Sequence, residues 1–237
     1  ERTVNDRLES VFRASKGRII LTCFTSSIPR LQLVLDQARQ HGRLVSFLGR
    51  RMSENTEIAQ ELGFLTVPPG LIIRSKEIRN HPRERVCVVA GGCQGEPMSA
   101  LARVALDDHK DLKIEAGDTV ILSSRMIPGK ERAISRMMDH FYRRRAEIYY
   151  PDGSQPPVHV SGHASEEELK LVVSLVKPKY FIPIHGTYRQ LIRHAKLVEK
   201  TGVVQERIIV AETGDIIRFG PAGAEITHNE LFQQETV

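Results

Sequence analysis

Short apolar runs, each followed by a loop and a helical stripe, constrain this chain more than any other feature. R-I-I-L-T-C-F at 18–24, L-V-S-F-L at 44–48, R-V-C-V-V-A at 85–90 and T-V-I-L-S at 119–123 are nearly continuous in apolar residues, and a shorter E-I-Y-Y follows at 147–150. Runs without polar alternation belong to parallel strands that are covered on both faces. The intervening segments carry apolar residues at helical spacing: Leu31, Val34, Leu35 and Ala38 in one, Ile134, Met137, Met138 and Phe141 in another. Val4, Leu8, Val11 and Phe12 form a similar stripe ahead of the first run. Strand and helix alternating over short loops predict an α/β fold with a doubly wound sheet. Helices are expected at 4–16, from a cap at Ser53 through Leu62, and from Pro97 through Leu106.

The P-D-G-S-Q-P-P stretch at 151–157 is dense in Pro, Gly and polar residues, and a domain crossing is expected there. Beyond it, V-H-V-S-G-H-A-S-E-E-E-L puts His159, Ser161, Gly162 and His163 just before a helix start. Ser165 is the expected N-cap, with Glu168 completing a capping box. Amide groups at such a helix start favour an anion such as phosphate. A second apolar run, Y-F-I-P-I at 180–184, reads as a strand ending on His185-Gly186, with Thr187 capping the next helix. A histidine at the carboxyl end of a strand faces the crevice where open α/β sheets hold ligands. His163 and His185, 22 positions apart, read either as ordinary surface histidines or as a pair delivered to one rim; spacing does not decide between these. A strand at 207–211, a turn at 212–215 and a strand at 216–219 follow, and 224–237 reads as a linker or tail.

A chain of 237 residues, 41% hydrophobic and 27% charged, has the composition of a globular protein with a substantial core. No apolar run reaches membrane-spanning length, so no membrane partner is expected. The first residues, Glu1-Arg2-Thr3, lack an initiator Met, as expected of a fragment of a longer polypeptide. The net charge of +5 favours an anionic partner. With no Trp and 5% aromatics, platforms for base stacking are sparse. Cys23, Cys87 and Cys93 are odd in number and not at metal spacing, which suits a reducing, cytoplasmic setting. No H-x-H-x-D-H, H-E-x-x-H or C-x-x-C is present. The glycine-rich G-G-C-Q-G at 91–95 follows a strand and precedes a helix; it reads equally as an anion cradle or as a tight turn that binds nothing.

Taken together, several stretches resemble the ribonuclease J family, bacterial β-CASP members of the metallo-β-lactamase-fold nucleases. They are G-R-I-I-L-T-C-F-T-S-S-I at 17–28, G-G-C-Q-G-E-P-M at 91–98, G-D-T-V-I-L-S-S at 117–124, I-P-G-K-E at 127–131, V-H-V-S-G-H-A-S-E-E-E-L-K at 158–170 and V-K-P-K-Y-F-I-P-I-H-G-T-Y-R at 176–189. The resemblance implies a β-CASP domain over 1–150 and the C-terminal part of a metallo-β-lactamase αββα core over 151–224, with 225–237 as a linker or tail. It implies a zinc-dependent ribonuclease with exonuclease and endonuclease action on single-stranded RNA. Two zinc ions would activate a water.

By motif, the resemblance makes His163 the catalytic histidine at the scissile phosphate and His185 a zinc ligand. It places His159, Ser161, Gly162, Gly92 and Cys93 at phosphate or RNA contacts. Histidine at 185, where DNA-cutting relatives tend to carry Val, implies the RNA type. Cys93 stands where the family usually has Ser, and Ser27 and Pro29 replace a common Asn and His. The family's N-terminal half, with its H-x-H-x-D-H ligands, is not among these residues, so the chain alone is expected to bind zinc poorly and to be inactive. The full-length protein is expected to be a homodimer or homotetramer. The alternative is a non-catalytic module that binds RNA or a nucleotide.

Overall fold

The computed structural model describes residues 1–228, which fall into two compact units, Glu1–Ser161 and Gly162 onward. The first is built on five strands: β1 (Ile19–Thr22), β2 (Leu44–Leu48), β3 (Val86–Ala90), β4 (Thr119–Leu122) and β5 (Glu147–Tyr149). They form one sheet in the order β2-β3-β1-β4-β5, every pairing parallel. Five helices cover it: α1 (Arg2–Ala14), α2 (Ile28–Gln40), α3 (Arg50–Glu61), α4 (Ala100–Ala105) and α5 (Glu131–Arg143).

Successive strand residues point to opposite faces, and both faces are covered. Ile19, Leu21, Cys87, Val89 and Ile121 pack with α1 and α2 in one cluster. Ile20, Val88, Ala90, Val120 and Leu122 pack with α4 and α5 in the other. This is why the strand sequences show no polar alternation. Each buried Val, Leu or Ile among them contributes roughly 1.5–3 kcal/mol relative to exposure. The order places β1 between strands reached from opposite directions, so the loops after β1 and β4 flank a topological switch point.

Two helix starts differ from expectation. Gly49, at φ +106°, breaks the chain directly after β2, so α3 opens at Arg50; Ser53 lies in its first turn, with its N–H already donated to Gly49 O. Ser99, not Pro97, opens α4, because its hydroxyl accepts from the Ala102 N–H. Residues 151–161 pack with the first compact unit, Val158 being buried in its core.

The second unit holds α6 (Glu166–Val176), α7 (Tyr188–Glu199) and an antiparallel hairpin of β6 (Ile216–Gly220) and β7 (Gly223–Thr227). The strands expected at 180–184 and 207–211 reduce to a single parallel bridge between Phe181 and Ile208. The next rung would need an amide from Pro183, and proline has none. The hairpin also sits later than expected. Ala224–Thr227 of the expected tail pair with β6, the turn falling at Pro221-Ala222. The rest of the expected tail from 229 lies outside the described residues.

Candidate functional site

In the first unit the residues of interest gather at the carboxyl ends of β1, β3 and β4. Residues 157–161 return along this rim as a strap. Its backbone is fixed at Val158: the Ser123 hydroxyl, just after β4, donates to Val158 O at 2.7 Å. From α2, Arg30 donates through Nη1 to Ser123 Oγ and, at 3.3 Å, to Val158 O. Its Nε and Nη2 pair with the Glu1 carboxylate at 2.9 and 3.0 Å. Every donor nitrogen of this buried guanidinium, 2% exposed, is thereby engaged. The Arg30 hydrogen bond holds the Glu1 carboxyl below its ordinary range.

His159 is half-buried on the strap, near Arg30, Glu1, Arg125 and the Ser123 backbone. Burial, and after it the Arg30 charge, pushes its imidazole below the ordinary histidine value. Its Nδ1 is buried without a hydrogen-bond partner. Ser161, the last residue of the strap, is exposed.

The glycine loop is held by packing. Gly92 has φ +110°, and the Ser99 side chain fills the space where a Cβ would stand. Gln94, buried, bolts the loop to the segment after β4: its amide nitrogen donates to Arg125 O at 2.9 Å and its oxygen accepts from Ile127 N at 2.9 Å. Cys93 turns inward, 6% exposed, and burial raises its thiol. Cys23 neighbours both Cys93 and Arg30, and its own thiol is pushed by burial up to about 12. These thiols behave as small apolar side chains rather than nucleophiles. The expected contact of Cys93 with phosphate is therefore not available to its side chain.

In the second unit, Gly162 and His163 are exposed just ahead of α6. The capping box forms as expected: Ser165 N donates to Glu168 Oε2 at 2.6 Å and Glu168 N to Ser165 Oγ at 3.4 Å. The first turn of α6 also carries Glu166 and Glu167. Three carboxylates already answer the positive end of this helix, so the helix terminus is a poorer phosphate seat than the sequence suggested.

His185 is exposed and held at φ +62°, the left-handed region that non-glycine residues seldom occupy. The Gln190 side-chain oxygen fixes the turn behind it, accepting from the Thr187 N–H at 2.7 Å and its hydroxyl at 3.0 Å. His185 opens on a cavity of about 910 Å³ with Tyr188, Leu191, Glu212 and Thr213 on its walls. Among the described residues no group of three His, Cys, Asp or Glu side chains could hold a metal ion. The residues present do not fit a zinc centre by themselves. No described helix is long and apolar enough to cross a membrane.

Comparison with known proteins decides the family. Residues 16–141 match the model described as ribonuclease J, beta-CASP domain. The chain belongs to the ribonuclease J family. Residues 157–211 match a second model, the Zn-dependent metallo-hydrolase RNA specificity domain. Ribonuclease J2 of Bacillus subtilis is 38% identical over 219 residues, 92% of this chain and 39% of that protein. Ribonuclease J of Helicobacter pylori is 36% identical over 222 residues, 94% of this chain and 32% of that one. Ribonuclease J 2 of Staphylococcus epidermidis is 35% identical over 237 residues, 100% of this chain and 42% of the relative. The chain thus spans roughly a third to two-fifths of these ribonuclease J relatives.

Arg30, Ser123 and Gln94 were not singled out from the sequence. A signal for Arg30 existed: it lies four positions before Val34 and eight before Ala38, on the buried stripe of α2. An arginine in that register is a buried charge that needs partners.

Proposed function

We propose that this chain is the RNA-engaging portion of a ribonuclease J that hydrolyses phosphodiester bonds in single-stranded RNA. The observation that carries this reading is that the RNA-specificity match begins at residue 157, on the segment that leads to exposed Ser161, Gly162 and His163. In the first unit His159, Ser161 and the backbone around Gly92 would contact phosphate oxygens; in the second, the Gly162 amide would do so. His163 would donate a hydrogen bond to the scissile phosphate or a proton to the leaving oxygen. His185 would be one zinc donor of a set that the described residues do not complete.

The net charge of +5 supports attraction of a polyanion whose strength falls with salt. The experiment is cleavage of single-stranded RNA by a full-length ribonuclease J carrying this region. Activity lost on chelation and on His163→Ala supports the reading; activity indifferent to His163→Ala rejects the catalytic role.

A second reading, supported by the net charge of +5 alone, is a module that binds RNA or a nucleotide with no chemistry of its own. Its mark is RNA binding that survives both His163→Ala and His185→Ala.

A further inference from the structure

We infer that Arg30 is a positioning residue for RNA, setting the backbone of the strap that carries His159 and Ser161. The inference rests on the proposed RNA contacts of that strap and extends them to a buried side chain that touches no substrate.

Arg30 reaches from α2 across the carboxyl ends of the sheet and ends on Ser123 Oγ and Val158 O. Ser123 Oγ also donates to Val158 O at 2.7 Å. One carbonyl therefore receives two donors, one residue before His159. The Val158 side chain is buried in the core on the same segment, so this point of the strap is fixed by both packing and polar bonds. Residues 152–155 before it are exposed, and Ser161 after it is exposed. Between them Pro156, Pro157, His159 and Val160 are half-buried, with Val160 against the first core cluster, so the carbonyl that Arg30 and Ser123 hold lies in the buried middle of the strap.

The Glu1 carboxylate occupies the other edge of the guanidinium, so the planar fork is used on two sides at once. A lysine cannot reproduce that arrangement. It can meet Glu1 or the Ser123–Val158 pair, but not both. Contacts to phosphate depend on donors held within a few tenths of an ångström, so a loosened Val158 carbonyl would misplace His159 and Ser161 together.

The test uses the 237-residue chain with Arg30→Lys and, separately, Ser123→Ala, which leaves the Arg30–Glu1 pair in place. A 5′-labelled single-stranded oligoribonucleotide is the probe, and thermal unfolding checks that each variant is folded. Both variants are expected to lose RNA affinity, Arg30→Lys by roughly tenfold. Hydrogen exchange at 159–161 is expected to rise in both. The loss should not add to that of His159→Ala, since both act through the same strap. Unchanged exchange at 159–161, or full additivity with His159→Ala, overturns the inference while leaving the RNA reading intact. Failure of the unaltered chain to bind the oligonucleotide removes the reading itself and the inference with it.

Discussion

Asp118 and Arg83 meet at 2.7 Å at the amino-terminal end of β4, with the aspartate side chain fully buried. The same carboxylate accepts from the backbone N–H groups of Arg18 and Glu115, each at 2.9 Å. One side chain thus ties the entries to β1 and β4, at the end of the sheet opposite the loops that carry Gly92 and Ser123. Asp118→Ala would leave two amides and a guanidinium without their acceptor. The expected cost is about 3 kcal/mol, measured by urea unfolding, with the RNA affinity of the folded fraction unchanged.

The capping box at α6 gives a local prediction. Ser165→Ala removes the hydroxyl that accepts from Glu168 N. The expected loss is ~1 kcal/mol, seen as faster hydrogen exchange in the first turns of α6. The first unit should keep its exchange pattern, because none of its elements contains this cap.

His159 gives the pH dependence. Burial, and then Arg30, lowers its imidazole in the folded state, so the unfolded chain binds a proton more readily. This contribution to stability is fully present above the ordinary histidine value. It falls as pH drops through that value toward the depressed folded one. Glu1 acts lower on the scale: its carboxyl is depressed by Arg30, so that contribution is present above the ordinary carboxylate range and lost as pH falls below it. Titration of the His159 ring by NMR should give a midpoint below 6.5, the ordinary value. A midpoint above 6.5 would contradict the buried placement of this ring.

Metal removal gives a fourth outcome. With no group of three suitable donors among the described residues, the isolated chain should not retain stoichiometric zinc after dialysis. A chelator should leave its thermal midpoint unchanged. One tightly held zinc per chain would show that His185 already has its partners.

The first unit was legible because its signals are redundant. Buried parallel strands such as Ile19–Thr22 and Val86–Ala90 announce themselves by continuous apolar runs, and α5 by Ile134, Met137 and Phe141 at helical spacing. The second unit was less legible because the deciding feature was a missing amide: Pro183 stops a ladder that Phe181, Ile182 and Ile184 would otherwise continue. Motif likeness singled out the strap residues His159 and Ser161 in the first unit and His163 and His185 in the second as candidates. It did not show that Cys93 faces inward, since a Cys at a Ser position is equally compatible with either orientation. The role of Arg30 was hidden for a related reason. Its partners Ser123, Val158 and Glu1 are distant in sequence, and only the fold brings them together.

The most direct measurement is the affinity of this chain for a single-stranded oligoribonucleotide at two salt concentrations, with and without His163→Ala. The account predicts binding that weakens as salt rises and a further loss of about tenfold in the variant, the scale of one hydrogen bond to a charged group. Absence of binding at low salt, or binding that His163→Ala leaves untouched, would contradict it.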